Sequence, residues 1–370
     1  MKDIKLRPET LAVHSAPDPA TGAIVPPIHL ATTYARDAAY QLIAGRDYTR
    51  DKNPTMVVAE QLLATLEGGA AALVMASGMA ASTAVFRAWL RPGEHAIVPR
   101  TCYYGLRNWA VQFGAAWNVA IDVVETTDLA AVRAALRPTT KLVWIETPAN
   151  PTWAVTDIAA VAELAHGTGA RLAVDSTCAT PVHSHPLALG ADLVMHSATK
   201  YLAGHSDVLA GALVTARIDD AWAALAELRH TEGAMLGPVE AWLLQRGMRT
   251  LFARVERQSR TAFGLAHRLA ERGVAVDYPG LASHPQHALA ARQMTGGFGG
   301  MLSIRVPRPL DVVAKLRVWT PATSLGGVES LIEHRFTVEG PSSPTPPELL
   351  RLSVGLEHED DLFDDLVQAL

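Results

Sequence analysis

One lysine follows closely on two hydroxyls in the run His196-Ser197-Ala198-Thr199-Lys200-Tyr201, directly after the strand-like segment Asp192-Leu193-Val194-Met195. A strand that ends in two hydroxyls and an amine suits a phosphorylated aldehyde. The Lys200 amine condenses with the carbonyl, and Ser197 and Thr199 donate to the phosphate. Other apolar runs end in chemistry that fits the same ligand. Ser77-Gly78-Met79 follows the run 71–75 and opens an alanine-rich helix. Backbone N–H groups and the helix dipole favour an anion there, and Gly78 lets the backbone come close to it. Asp175 ends the apolar run 171–174, and a buried carboxylate is costly unless paired. Tyr103 and Tyr104 offer a flat aromatic face.

An amine, a phosphate cradle, an acid and a flat face are what pyridoxal phosphate (PLP) needs from a protein. Asp175 opposite the pyridine nitrogen would keep that ring protonated, and hence an electron sink. Each piece alone has an ordinary reading. Ser-Gly before a helix is a common cap, and an Asp after a strand is a common turn former. The ordered set, all at strand ends, is what points to PLP. His183, His185 and His196 match no zinc spacing, so no metal is expected. Cys102 and Cys178 read as inert buried thiols.

The elements that must position these residues alternate. Strands are expected at 71–75, 95–98, 142–145, 171–174 and 192–195. Helices are expected at 57–67, 77–90, 129–136 and 157–166. Apolar strands separated by helices imply an α/β fold with a mostly parallel sheet, in which ligands collect at the carboxyl ends of the strands. Residues 1–50 are rich in turn formers and read as an arm contacting a neighbouring subunit. Residues 51–235 read as the large ligand-binding domain, and 236–370 as a smaller C-terminal domain. Within the latter, Trp242 to Arg272 reads as one long helix, 301–306 and 350–354 as strands, and 341–347 as a proline-rich loop. The chain has 370 residues, 49% hydrophobic and 19% charged, with a net charge of −5. That is a globular composition. The absence of a Lys/Arg run argues against nucleic acid. Two cysteines are too few for a disulfide framework and suit a reducing cytosol. The N-terminus has no signal-peptide pattern, and no uncharged apolar span is long enough to cross a membrane.

Six ordered motifs carry a resemblance: YTRDKNPT (48–55), SGMAA (77–81), ETPANPT (146–152), HSATKYLAGHSD (196–207), SLGGVESL (324–331) and LRLSVGLE (350–357). The chain resembles the Cys/Met-metabolism (transsulfuration) family of fold-type I PLP enzymes, aspartate aminotransferase-like in fold. The resemblance implies that Lys200 holds PLP as a Schiff base and shuttles protons. It implies Asp175 on the pyridine nitrogen, Thr177 at the ring, and Tyr104 stacked on the ring as a third catalytic residue. Ser77, Gly78, Met79, Ser197 and Thr199 would bind phosphate, joined by Tyr48 and Arg50 from a neighbouring subunit in a homotetramer built of catalytic dimers. Asn150 would contact the cofactor or the α-carboxylate of the amino-acid substrate, Arg351 would pair with that α-carboxylate, and Ser324 would line the same pocket. Asp47 and Glu329 would meet a distal ammonium such as that of cystathionine. The implied activity is γ-elimination on L-cystathionine or a close analogue. Cystathionine γ-synthase chemistry is the nearest alternative, followed by β-lyase, methionine γ-lyase, or a lyase for another basic γ-substituted amino acid. A PLP-fold regulator is the alternative of another class, and intact Lys200, Asp175 and Arg351 argue against it. Departures fall at Arg335, where the family pattern carries proline, and in the short loop after it.

Overall fold

The computed structural model describes residues 6–14, 17–340 and 343–370. Part of the expected arm (1–5, 15–16) and part of the proline-rich loop (341–342) lie outside the described residues. Seven strands form the first sheet: β1 (Ala71–Met75), β2 (His95–Pro99), β3 (Ala120–Val124), β4 (Thr140–Glu146), β5 (Arg171–Asp175), β6 (Leu193–His196) and β7 (Gly211–Thr215). Their order is β1-β7-β6-β5-β4-β2-β3. Only β7 runs antiparallel to its neighbours. The central strands β4, β5 and β6 are buried almost throughout. Helices cover both faces of such a sheet, which is why these strands are continuous apolar runs rather than alternating ones.

A second sheet holds β8 (Ala275–Asp277), β9 (Met301–Arg305), β10 (Thr320–Pro321), β11 (Leu331–Glu333) and β12 (Leu349–Ser353), in the order β10-β11-β12-β9-β8. It has its own apolar core around Leu302, Ile304, Trp319, Ile332, Leu350 and Leu352. On its central strand β12, Arg351 lies opposite Glu333 of β11 and Ser303 of β9.

The long helix expected over 242–272 is two helices, Pro238–Met248 and Leu251–Glu271. The break is tertiary in origin. Gly247 packs flat against the segment that follows Lys200, where a Cβ would stand 2.2 Å from the Ala203 carbonyl oxygen. Arg254, one turn beyond the break, is buried. It donates to the carbonyls of Tyr201 at 2.9 Å and Gly247 at 2.8 Å. The broken helix thus holds the lysine segment in place. Replacing Gly247 with alanine should therefore displace backbone. We expect Gly247→Ala to cost roughly 1–3 kcal/mol of stability, read as a lowered midpoint in thermal unfolding. An unchanged midpoint would contradict this packing.

Candidate active site

The carboxyl ends of β1, β4, β5 and β6 open onto one cavity of about 240 Å³. Ser77, Gly78, Met79, Asn150, Asp175, Thr177, Ser197, Thr199 and Lys200 all line it, as the sequence suggests. Four strand ends converge because all four strands run parallel, bringing their polar ends to one edge of the sheet.

The anion cradle forms at the start of the helix Gly78–Trp89. The Ser77 hydroxyl caps it, accepting from the Ala80 N–H at 3.0 Å. First-turn N–H groups such as those of Gly78 and Met79 have no intrahelical acceptor. At Gly78 a Cβ would meet Ser197 Oγ at 2.9 Å, so only glycine fits between the helix start and the Ser197 hydroxyl. Thr199 lines the cavity too, but its hydroxyl is already committed. It donates to the Ala210 carbonyl at 3.0 Å and accepts the Ala210 N–H at 2.9 Å.

Two carboxylates end neighbouring strands in register, Glu146 on β4 and Asp175 on β5. Thr177 donates to Asp175 Oδ1 from its backbone at 3.0 Å and from its hydroxyl at 2.5 Å. Both bonds fall on one oxygen, which leaves Oδ2 for a ligand. Burial pushes both carboxyls up. Glu146 is raised to about 8 by burial and then by the charge of Asp175. Asp175 is raised by burial, with the Thr177 bonds opposing. A cation arriving at Asp175 relieves that cost, and a protonated pyridine nitrogen is such a cation. Behind the cavity, His196 Nε2 meets Glu67 at 2.5 Å, both fully buried.

Sequence reasoning missed Glu146 as a site residue. Its carboxylate accepts the Tyr103 N–H at 2.7 Å and the Asn150 N–H at 2.8 Å, so it ties an aromatic and an amide to the cavity wall. The signal was available: like Asp175, it is the last residue of a buried strand. Of the two adjacent tyrosines, only the first is among the residues that line the cavity. Tyr103 lines the cavity, whereas Tyr104 opens the helix Tyr104–Trp117 and packs under the Arg335 guanidinium.

Lys200 Nζ donates to Ser324 Oγ at 2.7 Å. Burial, then the nearby Arg351 charge, brings its amine down to about 8. An appreciable neutral fraction near pH 8 makes it a nucleophile toward an aldehyde. Arg351 is buried, paired with Glu333, bonded through Nη2 to the Ser324 carbonyl and through Nη1 to Asn150 Oδ1 at 3.5 Å. Lys200, Ser324, Arg351 and Asn150 are therefore one connected group. Glu329 lies outside the cavity wall and accepts from the Ser206 hydroxyl, six residues past Lys200. Asp47, Tyr48 and Arg50 are not brought to this chain's own cavity. Asp47 pairs with Arg36 at 2.9 Å, and the Arg50 guanidinium lies 5.3 Å from the Tyr48 ring centre. Arg50 faces a separate cavity with Arg46, Lys52 and His230.

A glycine-only anion cradle, a carboxylate with one unclaimed oxygen and a lysine of lowered pKa fit PLP. The comparisons agree. The family model for Cys/Met metabolism PLP-dependent enzymes matches residues 9–370. Cystathionine γ-synthase of Mycobacterium tuberculosis is 45% identical, covering 98% of this chain and 96% of its own. Cystathionine γ-lyase of Dictyostelium discoideum is 39% identical, covering 95% of this chain and 94% of its own. The crystal structure of metB from Corynebacterium glutamicum superposes with a TM-score of 0.95 at 40% identity, covering 99% of this chain and 98% of its own. The α/β fold and the PLP requirement expected from sequence both stand.

The Lys200 environment makes a signed prediction about pH. The initial rate of PLP uptake by the apo protein, followed by visible absorbance, should rise with pH through about 8 and level off above it. A rate still climbing toward the ordinary lysine range, about 10.4, would contradict the burial of this amine.

Proposed function

This chain belongs to the Cys/Met metabolism PLP-dependent enzyme family, and on that premise we propose that it builds the Cγ–S bond of cystathionine. The reaction replaces the γ-acyloxy group of an activated homoserine with the sulfur of cysteine, releasing the carboxylic acid. The observation that carries an amino-acid substrate is the Lys200–Ser324–Arg351 group, in which an amine of lowered pKa lies next to a buried guanidinium.

When bound, PLP draws electrons from the substrate Cα, so that protons at Cα and then Cβ become removable. The residues of this chain divide the remaining work. Arg351 holds the α-carboxylate, for which a bidentate fork is well matched. Lys200 takes and returns the protons, its lowered pKa suiting both roles near neutral pH. Asp175 holds the proton on the ring nitrogen. Tyr103 backs the ring, held in place by Glu146. Ser77, Gly78, Met79 and Ser197 hold the phosphate.

Residues of the arm have a place in this reading. Ile24, Leu30 and Ile43 are exposed, and so are Tyr48 and Arg50. A second copy of the chain would cover these apolar groups and receive Tyr48 and Arg50 at its phosphate site, within a homotetramer. Cys102 and Cys178 are free thiols, which suits a cytoplasmic setting. Among the described residues no helix is long and apolar enough to cross a membrane.

The sequence alone ranks γ-elimination on cystathionine ahead of γ-replacement. The higher identity to the mycobacterial synthases favours the reverse order. Elimination remains the second reading because Glu329, beside the Lys200 segment, would meet the distal ammonium of cystathionine as product or as substrate. Incubating the PLP-loaded enzyme with O-succinylhomoserine and cysteine should yield cystathionine and succinate faster than cystathionine alone yields a 2-oxo acid. Faster 2-oxo acid release from cystathionine would reverse the assignment to a lyase.

A further inference from the structure

Arg335 is left unused by the reaction just described, and the structure brings it against Tyr104. Arg335 stands where the resembled pattern carries proline. Its guanidinium lies 5.1 Å from the centre of the Tyr104 ring. Tyr104 belongs to the region of the first sheet and Arg335 follows β11 of the second, so the contact bridges the two. A cation over an aromatic face holds its position best where water is excluded.

The same guanidinium has two acidic partners. Arg335 Nε donates to Glu339 at 2.6 Å and Nη1 to Glu333 at 3.3 Å. Glu333 is shared, because it also pairs with Arg351 directly across the sheet. Ser343 and Thr345 donate their hydroxyls to the second oxygen of Glu339. All four charged side chains are at most 5% exposed. Arg335 Nη2 and Arg351 Nε are buried without a hydrogen-bond partner. Two guanidiniums and two carboxylates make a neutral cluster, and a buried charge without its opposite is strongly destabilising.

We propose that Arg335 is a positioning residue for substrate: by carrying Glu339 and sharing Glu333, it leaves Arg351 the positive charge needed to bind the α-carboxylate. Without Arg335, the cluster would hold two carboxylates, Glu333 and Glu339, against the single guanidinium of Arg351. The incoming carboxylate would then meet a net negative cluster in a site with little water to screen it. The Tyr104 ring fixes the guanidinium across the gap between the two regions. This inference rests on Arg351 as the ligand of the substrate carboxylate.

The test titrates the PLP-loaded enzyme with L-alanine, which carries the α-amino and α-carboxylate groups but no leaving group. The dissociation constant is read from the change in visible absorbance. Arg335→Met should weaken binding about tenfold, within the range of couplings between buried neighbours. Glu339→Gln keeps the shape of its side chain and leaves the cluster net positive, so it should bind L-alanine about threefold more tightly. Arg335→Met with Glu339→Gln restores neutrality and should bring affinity back toward the native value, while the tightening in Glu339→Gln alone is the result that a purely structural role for Arg335 does not give. Should Arg335→Met fail to fold, Glu339→Gln alone carries the sign of the test. No tightening in Glu339→Gln, or no recovery in the double variant, overturns the proposal. Arg351→Met separates the two levels. If it binds L-alanine as tightly as the native enzyme, the Arg351 reading itself fails. If it loses affinity while the Arg335 and Glu339 variants do not change, only the present inference fails.

Discussion

The arrangement depends on holding an amine partly out of water at the edge of a parallel sheet. Lys200 is brought down to about 8 mainly by burial. A group held at that cost needs its surroundings fixed, and the structure fixes them from two directions. Arg254 and the glycine-thin Gly247 pin the segment after Lys200 from behind. Ser324, presented by the second sheet region, accepts the amine in front. Neither sheet alone makes the site: the first supplies the polar groups at its strand ends, and the second supplies Ser324 and Arg351.

The same constraint explains the density of buried charge. Glu146 and Asp175 lie side by side at strand ends, where burial raises both. Arg351, Glu333, Arg335 and Glu339 lie in a chain with no net charge. Under the proposed function, an acid is needed for the cationic cofactor ring and a guanidinium for the anionic substrate group. Each must also be compensated while the ligands are away. The fold keeps the two sets apart. The acids close the carboxyl edge of the first sheet, and the guanidiniums come from β12 and the segment after β11.

Much of this was legible in the sequence, for physical reasons. Buried parallel strands are unbroken apolar runs, so 142–145 and 171–174 mark themselves, and the polar residues after them mark the site. Less was legible where tertiary contacts decide. β3 carries Asp122 on a half-exposed edge, so its pattern is weak. β7 is a short run just past the loop that follows Lys200. The break near Thr250 has no proline, and only the approach of Gly247 to Ala203 explains it. Tyr103 and Tyr104 are adjacent aromatics, and type alone cannot rank them. Tyr103 precedes the helix and lines the cavity, while Tyr104, the first helical residue, lies under the Arg335 guanidinium. Asp47, Tyr48 and Arg50 lie away from the cavity of their own chain, where Asp47 pairs with Arg36 and Arg50 lies against Tyr48.

The central claim is that Lys200 is the residue that holds PLP. Borohydride reduction of the PLP-loaded enzyme, followed by proteolysis and mass spectrometry of the peptides, tests it most directly. The account predicts a single phosphopyridoxyl adduct on the peptide containing Lys200. An adduct on another lysine, or none on a protein that has taken up PLP, would contradict it.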